Sequence, residues 1–151
     1  LEDNFIMLNL NQPSAIKDVS WIKPGKIMWD LTNSTKGSKA AIDYAVKRKM
    51  QYIHIDAGWY GFEGGDNSDA TKIAADTIGY ATNGNLDIEE VVKYGKDRGI
   101  GVWLYVNQKH LARQLDDILP LYKKWGIKGK NSTVIMNRAK GIVYFLKEQG
   151  Y

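Results

Sequence analysis

An α/β fold built on a parallel sheet is the class this sequence predicts, and three observations predict it. Apolar runs of strand length alternate with longer stretches whose apolar residues recur at helical spacing. The central run, Val102-Trp103-Leu104-Tyr105-Val106, is apolar at consecutive positions, the pattern of a strand buried on both faces. A polar residue closes each run: Asp30, then Asp56, then Asn107 with Gln108.

Lys26 to Leu31 reads as a short buried strand, followed by a turn-rich stretch from Thr32 to Gly37. Ser38 is placed to cap a helix reaching about Arg48, with Ala41, Ile42, Ala45 and Val46 on its apolar face. Tyr52 to Ile55 is too short for a helix and rich in β-formers, so it reads as a strand. A long loop from Trp59 to Asn85 follows, dense in Gly, Asp, Asn and Thr. Asp87 then caps a helix with Ile88, Val91, Val92 and Tyr94 as its apolar positions and Gly99 as its stop. After the Val102–Val106 strand a helix spans about Lys109 to Trp125, with Leu111, Leu115, Ile118 and Leu119 facing inward and Pro120 expected to kink it. Beyond it there is room for a fourth strand near Ser132 to Met136. A helix from about Asn137 to Glu148 would place Ile142, Phe145 and Leu146 on one face.

Composition bounds the function classes. A chain of 151 residues, 44% hydrophobic and 25% charged, suits one soluble globular domain. No apolar run is long enough to span a membrane. The start, Leu1-Glu2-Asp3-Asn4, carries no signal peptide, as a mature secreted chain or an excised fragment also would not, so localisation is unknown. Cysteine is absent, which removes disulfide and thiolate chemistry. The net charge of +4 is mild, and Lys47-Arg48-Lys49 and Lys123-Lys124 sit at predicted helix ends, where cations complement the macrodipole. They read as solvated faces, and no nucleic-acid partner is expected.

Two architectures fit the alternation. A dinucleotide-binding fold needs a glycine-rich turn after its first strand, but Trp29-Asp30-Leu31-Thr32 stands there, without a G-x-G-x-x-G. Polar residues at the carboxyl ends of successive parallel strands are instead how (β/α)8 barrel enzymes assemble their sites. A partial (β/α)8 barrel of about three to four βα units, parallel strands with flanking helices, is therefore expected, since a complete barrel takes roughly 250 residues.

The stretch "LNLNQPSAIKDVSWIKPGKIMWD", followed by "YIHIDAGWY", "LDIEEVVKYGKDRGIGVWLYVNQ" and "LYKKWGIKG", resembles glycoside hydrolase family 97. The resemblance covers about Leu8 to Gly129. It implies an α-glucosidase or α-galactosidase type of enzyme, calcium-dependent in its full-length members, acting on an α-linked oligosaccharide or glycoside. It also implies residues 1–21 as the tail of a preceding β-sandwich or a linker, residues 22–151 as part of the barrel, and a periplasmic or secreted location. The open edge of such a partial barrel would expose apolar surface, and a homodimer is one way to cover it.

Departures from the family pattern bear on the chemistry. Where retaining members have a fourth strand like "IKVDFMDR" with a nucleophilic aspartate, this sequence reads "GIKGKNSTVIMNR", and Thr133 or Val134 falls at that position. Where inverting members use a glutamate near the end of the third strand, it has Asn107 and Gln108. Glycoside hydrolysis needs two carboxyls flanking the bond. From Leu104 to Tyr151 the only acids are Asp116, Asp117 and Glu148, all on predicted helices. A pair at Asp30 and Asp56 has a conceivable spacing on adjacent strands, but the resemblance does not assign them that role. The catalytic residues stay unassigned.

Asp56, Trp59, Trp29, Asp30, Asn107 and Gln108 are the candidate substrate-binding residues. Asp56 either accepts hydrogen bonds from sugar hydroxyls, with Trp59 offering an aromatic face, or it holds the loop around Gly58. His54, two residues deeper, reads as a satisfied core histidine. His110 has no partner nearby in sequence. No metal-ligand spacing occurs, and Glu63, Asp66, Asp69 and Asp76 read as belonging to a mobile surface loop, so no cofactor is expected within this chain. The expected function is that of an α-glycosidase whose chemistry is completed by residues outside the chain. The alternative is a non-catalytic carbohydrate-binding fragment or degenerate relative.

Overall fold

Short continuous apolar runs and helical periodicity are the physical signals behind the elements, and most emerge where the sequence places them. The computed structural model describes residues 25–74, 86–127 and 133–136. In chain order they form β1 (Ile27–Asp30), α1 (Thr35–Lys47), β2 (Tyr52–Ile55), α2 (Ile88–Lys96), β3 (Gly101–Val106), α3 (Gln108–Lys124) and β4 (Thr133–Met136). The four strands make one sheet, ordered β1-β2-β3-β4 and parallel throughout. The suggested fourth strand is thus present. The expected tail at 1–21, the helix at 137–148 and Asp76 lie outside the described residues.

Register sorts the side chains into two faces. Met28, Ile53 and Val102 stand in line, as do Asp30, Ile55 and Leu104; Trp29, His54 and Trp103 form the intervening row. The first set faces the helices. Ile53, Ile55, Val102, Leu104 and Val106 are fully buried there with Ile42 and Ala45 of α1, Val91 of α2, and Ile118 and Tyr122 of α3. The other face is aromatic: Tyr52 lies 5.2 Å from Trp103 between ring centres, and His54 lies 6.1 Å from Trp29. β1 was expected to be buried, but Ile27 and Trp29 are exposed. It has a neighbour on one side only in the described sheet.

The helix ends show what local sequence does and does not settle. Asp87 caps α2 as expected, its side chain accepting the Glu90 N–H at 2.9 Å, with Glu89 and Glu90 in the positive first turn. Gly99 stops that helix at φ +72°. For α1 the cap is Ser34, not Ser38: the Ser34 hydroxyl accepts the Gly37 N–H at 3.1 Å. Ser38 lies inside the first turn, fully buried, and Val46 is exposed rather than part of the apolar face. In α3 the expected kink at Pro120 is displaced. The helix continues through Pro120 and breaks at Gln114 (φ −120°, ψ 19°), whose side-chain amide is held from outside the helix. Leu111 and Ile118 are buried as expected, and Leu115 and Leu119 pack more loosely.

The basic clusters behave as helix-end charge: Lys47 ends α1, and Lys123 and Lys124 end α3. Among the described residues no helix is long and apolar enough to cross a membrane.

Helix α2 meets β3 through a close approach at Gly95, where a Cβ would stand 2.7 Å from the Ile100 carbonyl oxygen and 3.3 Å from Val102. Backbone cannot give way as a flexible side chain can. Gly95→Ala is expected to destabilise the fold by about 1–3 kcal/mol in urea unfolding, an overpacking cost. A variant as stable as the parent would show that α2 can move off the sheet freely.

Candidate functional site

Asp30 and Asp56 both follow from strand ends, yet the pleat sends them to opposite sides. Asp30, only 2% exposed, lies on the helix face. One carboxylate oxygen accepts the Thr32 N–H at 2.9 Å and the Thr32 hydroxyl at 2.7 Å; the other accepts the Ser38 hydroxyl at 2.5 Å. It is an anchor tying the β1–α1 turn to the helix. Expected among the substrate-binding residues, it instead has both oxygens engaged by Thr32 and Ser38 on the helix face.

Asp56 continues β2, its N–H donating to the Asp30 carbonyl at 3.0 Å. Alternation puts its side chain on the aromatic face with His54. The carboxylate is partly open and accepts no hydrogen bond among the described residues; it faces the His54 imidazole, Nε2 to Oδ1 4.0 Å. His54 differs from the satisfied core histidine expected of it. It is 7% exposed, and its Nε2 is buried without a hydrogen-bond partner among the described residues. Its ring is nearly parallel to Trp29, at 15°, and 6.4 Å from Tyr105. Burial holds the imidazole below its ordinary pKa, outweighing the pull of Asp56 and then of Asp30 toward the charged form. Trp29 is 61% exposed beside it. Trp29, His54 and Asp56 therefore come together as an aromatic plate, an unsatisfied nitrogen and an uncommitted carboxylate.

Trp59 belongs elsewhere. It is fully buried, its indole N–H donates to the Tyr105 carbonyl at 2.7 Å, and it packs on Tyr60, Tyr122 and Trp125. Gly58, at φ +105°, turns the chain sharply enough to drive the next residue inward. The ring expected to meet a sugar is a core residue. Tyr60 is buried alongside it, and its hydroxyl accepts the Asn107 N–H at 2.9 Å. Desolvation pushes the phenol far above its usual range, so it stays neutral. Asn107 is half-buried, its side chain spent on capping α3 by accepting the Lys109 N–H at 3.0 Å, and Gln108 is exposed at the first helical position.

The acidic segment after Trp59 is docked along α3 over residues 59–74. Arg113 donates to the carbonyls of Asp66 and Ser68, Gln114 bridges the Ala70 N–H and the Asp69 carboxylate, and the Tyr122 hydroxyl donates to the Ala70 carbonyl. His110, fully buried, meets the Glu63 carbonyl through Nε2 and Arg113 through Nδ1. Arg113 lies one helical turn away in α3, so the expectation that His110 has no partner nearby in sequence does not hold; the Glu63 carbonyl, 47 residues upstream, is the partner that sequence could not show. Asp66 pairs with Lys109, and the Thr71 hydroxyl above all holds Asp69 well below the carboxylate range. Calcium takes roughly six to eight oxygens. Among the described residues no group of three or more His, Cys, Asp or Glu side chains converges as a metal site would require.

Asn33 is a residue sequence reading passed over. At φ 46° and 1% exposed, it donates to the Ala57 carbonyl at 2.9 Å, joining the β1 and β2 loops beside Asp56. Its signal was the Thr32-Asn33-Ser34 turn, where asparagine tolerates the left-handed region.

Residues 23–147 match the family model described as Glycoside hydrolase 97. The chain belongs to glycoside hydrolase family 97. Among its relatives are a probable retaining alpha-galactosidase of Streptomyces bingchenggensis, 32% identical over 80% of this chain and 19% of that protein, and a retaining alpha-galactosidase of Bacteroides thetaiotaomicron, 28% identical over 80% and 18%. The chain spans about a fifth of their length. A family 97 enzyme from Pseudoalteromonas sp. strain K8, solved with acarbose, shares the fold at TM-score 0.61 and 24% identity, over 87% of this chain and 22% of that one. A beta-arabinopyranosidase shares it more distantly, at TM-score 0.51 and 15% identity over 87% and 20%. The resemblance read from the "SWIKPGK" and "IDAGWY" blocks thus holds.

The lowered pKa of His54 has a consequence for stability in this family 97 chain. Below the ordinary value of 6.5 the unfolded chain binds a proton that the folded one resists. Stability contributed by neutral His54 is therefore full above pH 6.5 and declines as pH falls toward the lowered folded value. Replacing His54 by Gln is expected to flatten the slope of unfolding free energy just below pH 6.5; an unchanged slope would show that His54 does not resist protonation.

Proposed function

We propose that this chain forms the first strands of the (β/α)8 barrel of an enzyme hydrolysing α-linked galactosides or glucosides, and that it binds sugar rather than carrying out the chemistry alone. The observation that carries the reading is the Asp56 carboxylate, left uncommitted at the carboxyl end of β2 and facing His54, on whose ring the exposed Trp29 stacks. Carboxylates at strand ends accept sugar hydroxyls, and an aromatic plate matches the apolar face of a pyranose. Asn107 and Gln108, at the end of β3, stand as contacts at the rim. The alpha-galactosidase names of the relatives and the acarbose held by the Pseudoalteromonas enzyme favour an α-linked glycoside as the substrate class.

Hydrolysis needs a second carboxyl across the scissile bond. Asp30 is occupied on the opposite face, and Asp116 and Asp117 lie on α3. The acid and its partner therefore come from residues outside the described ones, as would any calcium ligands. The remaining strands close the barrel from further sequence or from a second copy of the chain.

The purified chain is expected to bind methyl α-galactoside or acarbose in calorimetry, with Asp56→Ala weakening binding about tenfold, the loss of one charge-assisted hydrogen bond. It is expected to release no nitrophenol from p-nitrophenyl α-galactoside. Turnover lost in Asp56→Ala would show instead that these residues assemble a complete active site. Absence of binding to either sugar would overturn the reading.

A further inference from the structure

His54 is a buried polar group, on the same face as Asp56, that the proposed function leaves without a task. Its Nε2 is sealed from solvent and has no hydrogen-bond partner among the described residues, an arrangement that is unfavourable wherever a nitrogen loses water without gaining a partner. The ring is held on both sides, by Trp29 from β1 and Tyr105 from β3. The charged groups that act on it are Asp56 on its own strand and Asp30 on β1. Asp30 is saturated by Thr32 and Ser38. Asp56 is not, and its Oδ1 stands 4.0 Å from Nε2, about 1 Å beyond hydrogen-bond reach.

We infer that His54 is a positioning residue for Asp56: when a sugar hydroxyl engages one carboxylate oxygen of Asp56, the other turns onto the His54 Nε2–H. This rests on the reading that Asp56 meets the sugar. Among the described residues, the free site keeps a carboxylate that has not yet committed facing a nitrogen that has no hydrogen-bond partner. Closing a gap of that size takes a side-chain rotation of Asp56, with the imidazole fixed between two rings. Sugar binding thereby recovers the hydrogen bond that the free protein lacks, and the carboxylate is set in one orientation toward the hydroxyl. His54 itself touches no sugar.

Histidine-selective nitrogen–proton NMR on the full chain tests this, with methyl α-galactoside as probe. The chain has two histidines, so the spectrum of His54→Gln identifies the His54 signals by their absence. On saturation with sugar, the His54 Nε2–H proton is expected to move downfield and exchange more slowly with water, while His110 stays put; in Asp56→Ala, which has no side-chain acceptor, that response is lost. His54→Phe is expected to bind about tenfold more weakly, and His54→Gln, which keeps an N–H donor, within threefold of the parent. Sugar binding with a silent His54 resonance, or with full affinity in a folded His54→Phe, overturns the inference and leaves the sugar reading standing. Should the Phe variant fail to fold, the resonance in the unaltered chain decides. No binding by the unaltered chain removes both.

Discussion

The Asp56 amide donates to the Asp30 carbonyl one step past the end of the β1–β2 ladder, and this bond carries the strand register into the loops. A slip of one residue would exchange the two faces of β2. His54 and Asp56 would then turn to the helices and Ile53 and Ile55 to the aromatic side. Register also decides that Asp30 becomes structural, since only on the helix face can it reach Ser38. Two aspartates with similar sequence surroundings thus acquire different work from a single backbone hydrogen bond.

The segment after β2 is organised by the same logic of satisfied groups. Gly58 sends Trp59 inward, where its N–H takes the Tyr105 carbonyl and its ring fills space among Tyr60, Tyr122 and Trp125. Turns of this kind leave backbone carbonyls unpaired, and Arg113, Gln114 and Tyr122 supply donors to three of them or their neighbours. The chain just after Asp56 is therefore packed into an aromatic cluster held to α3, while the Asp56 carboxylate accepts no hydrogen bond among the described residues.

Much of this was legible in the sequence, and the errors share one cause. The strands, the Asp87 cap and the Gly99 stop are local: each is specified by residues within a turn or two. The family resemblance was legible too, because ordered blocks such as "SWIKPGK" and "IDAGWY" are longer than any single motif. Trp59 and His54 were misread because burial is set by partners across the chain. Trp59 was placed by proximity to Asp56, whereas its hydrogen bond is to Tyr105, 46 residues on. His54 looked like any core histidine until the distance to Asp56 showed what it lacks. Ser38 satisfied the rule for a helix cap, but Ser34 satisfied it one turn earlier, and Ser38 was left for Asp30.

The break in α3 carries a consequence for how the molecule comes together. Gln114 departs from helical geometry while its amide holds Ala70 and Asp69, partners 44 and 45 residues upstream. Closing a loop of that span costs entropy before either bond forms. Local propensity has no reason to interrupt the helix there, so the break is acquired with tertiary contacts rather than inherited from the segment. An excised α3 peptide, induced to fold, would be straight at Gln114, and the bend in the intact chain records that the loop has already arrived.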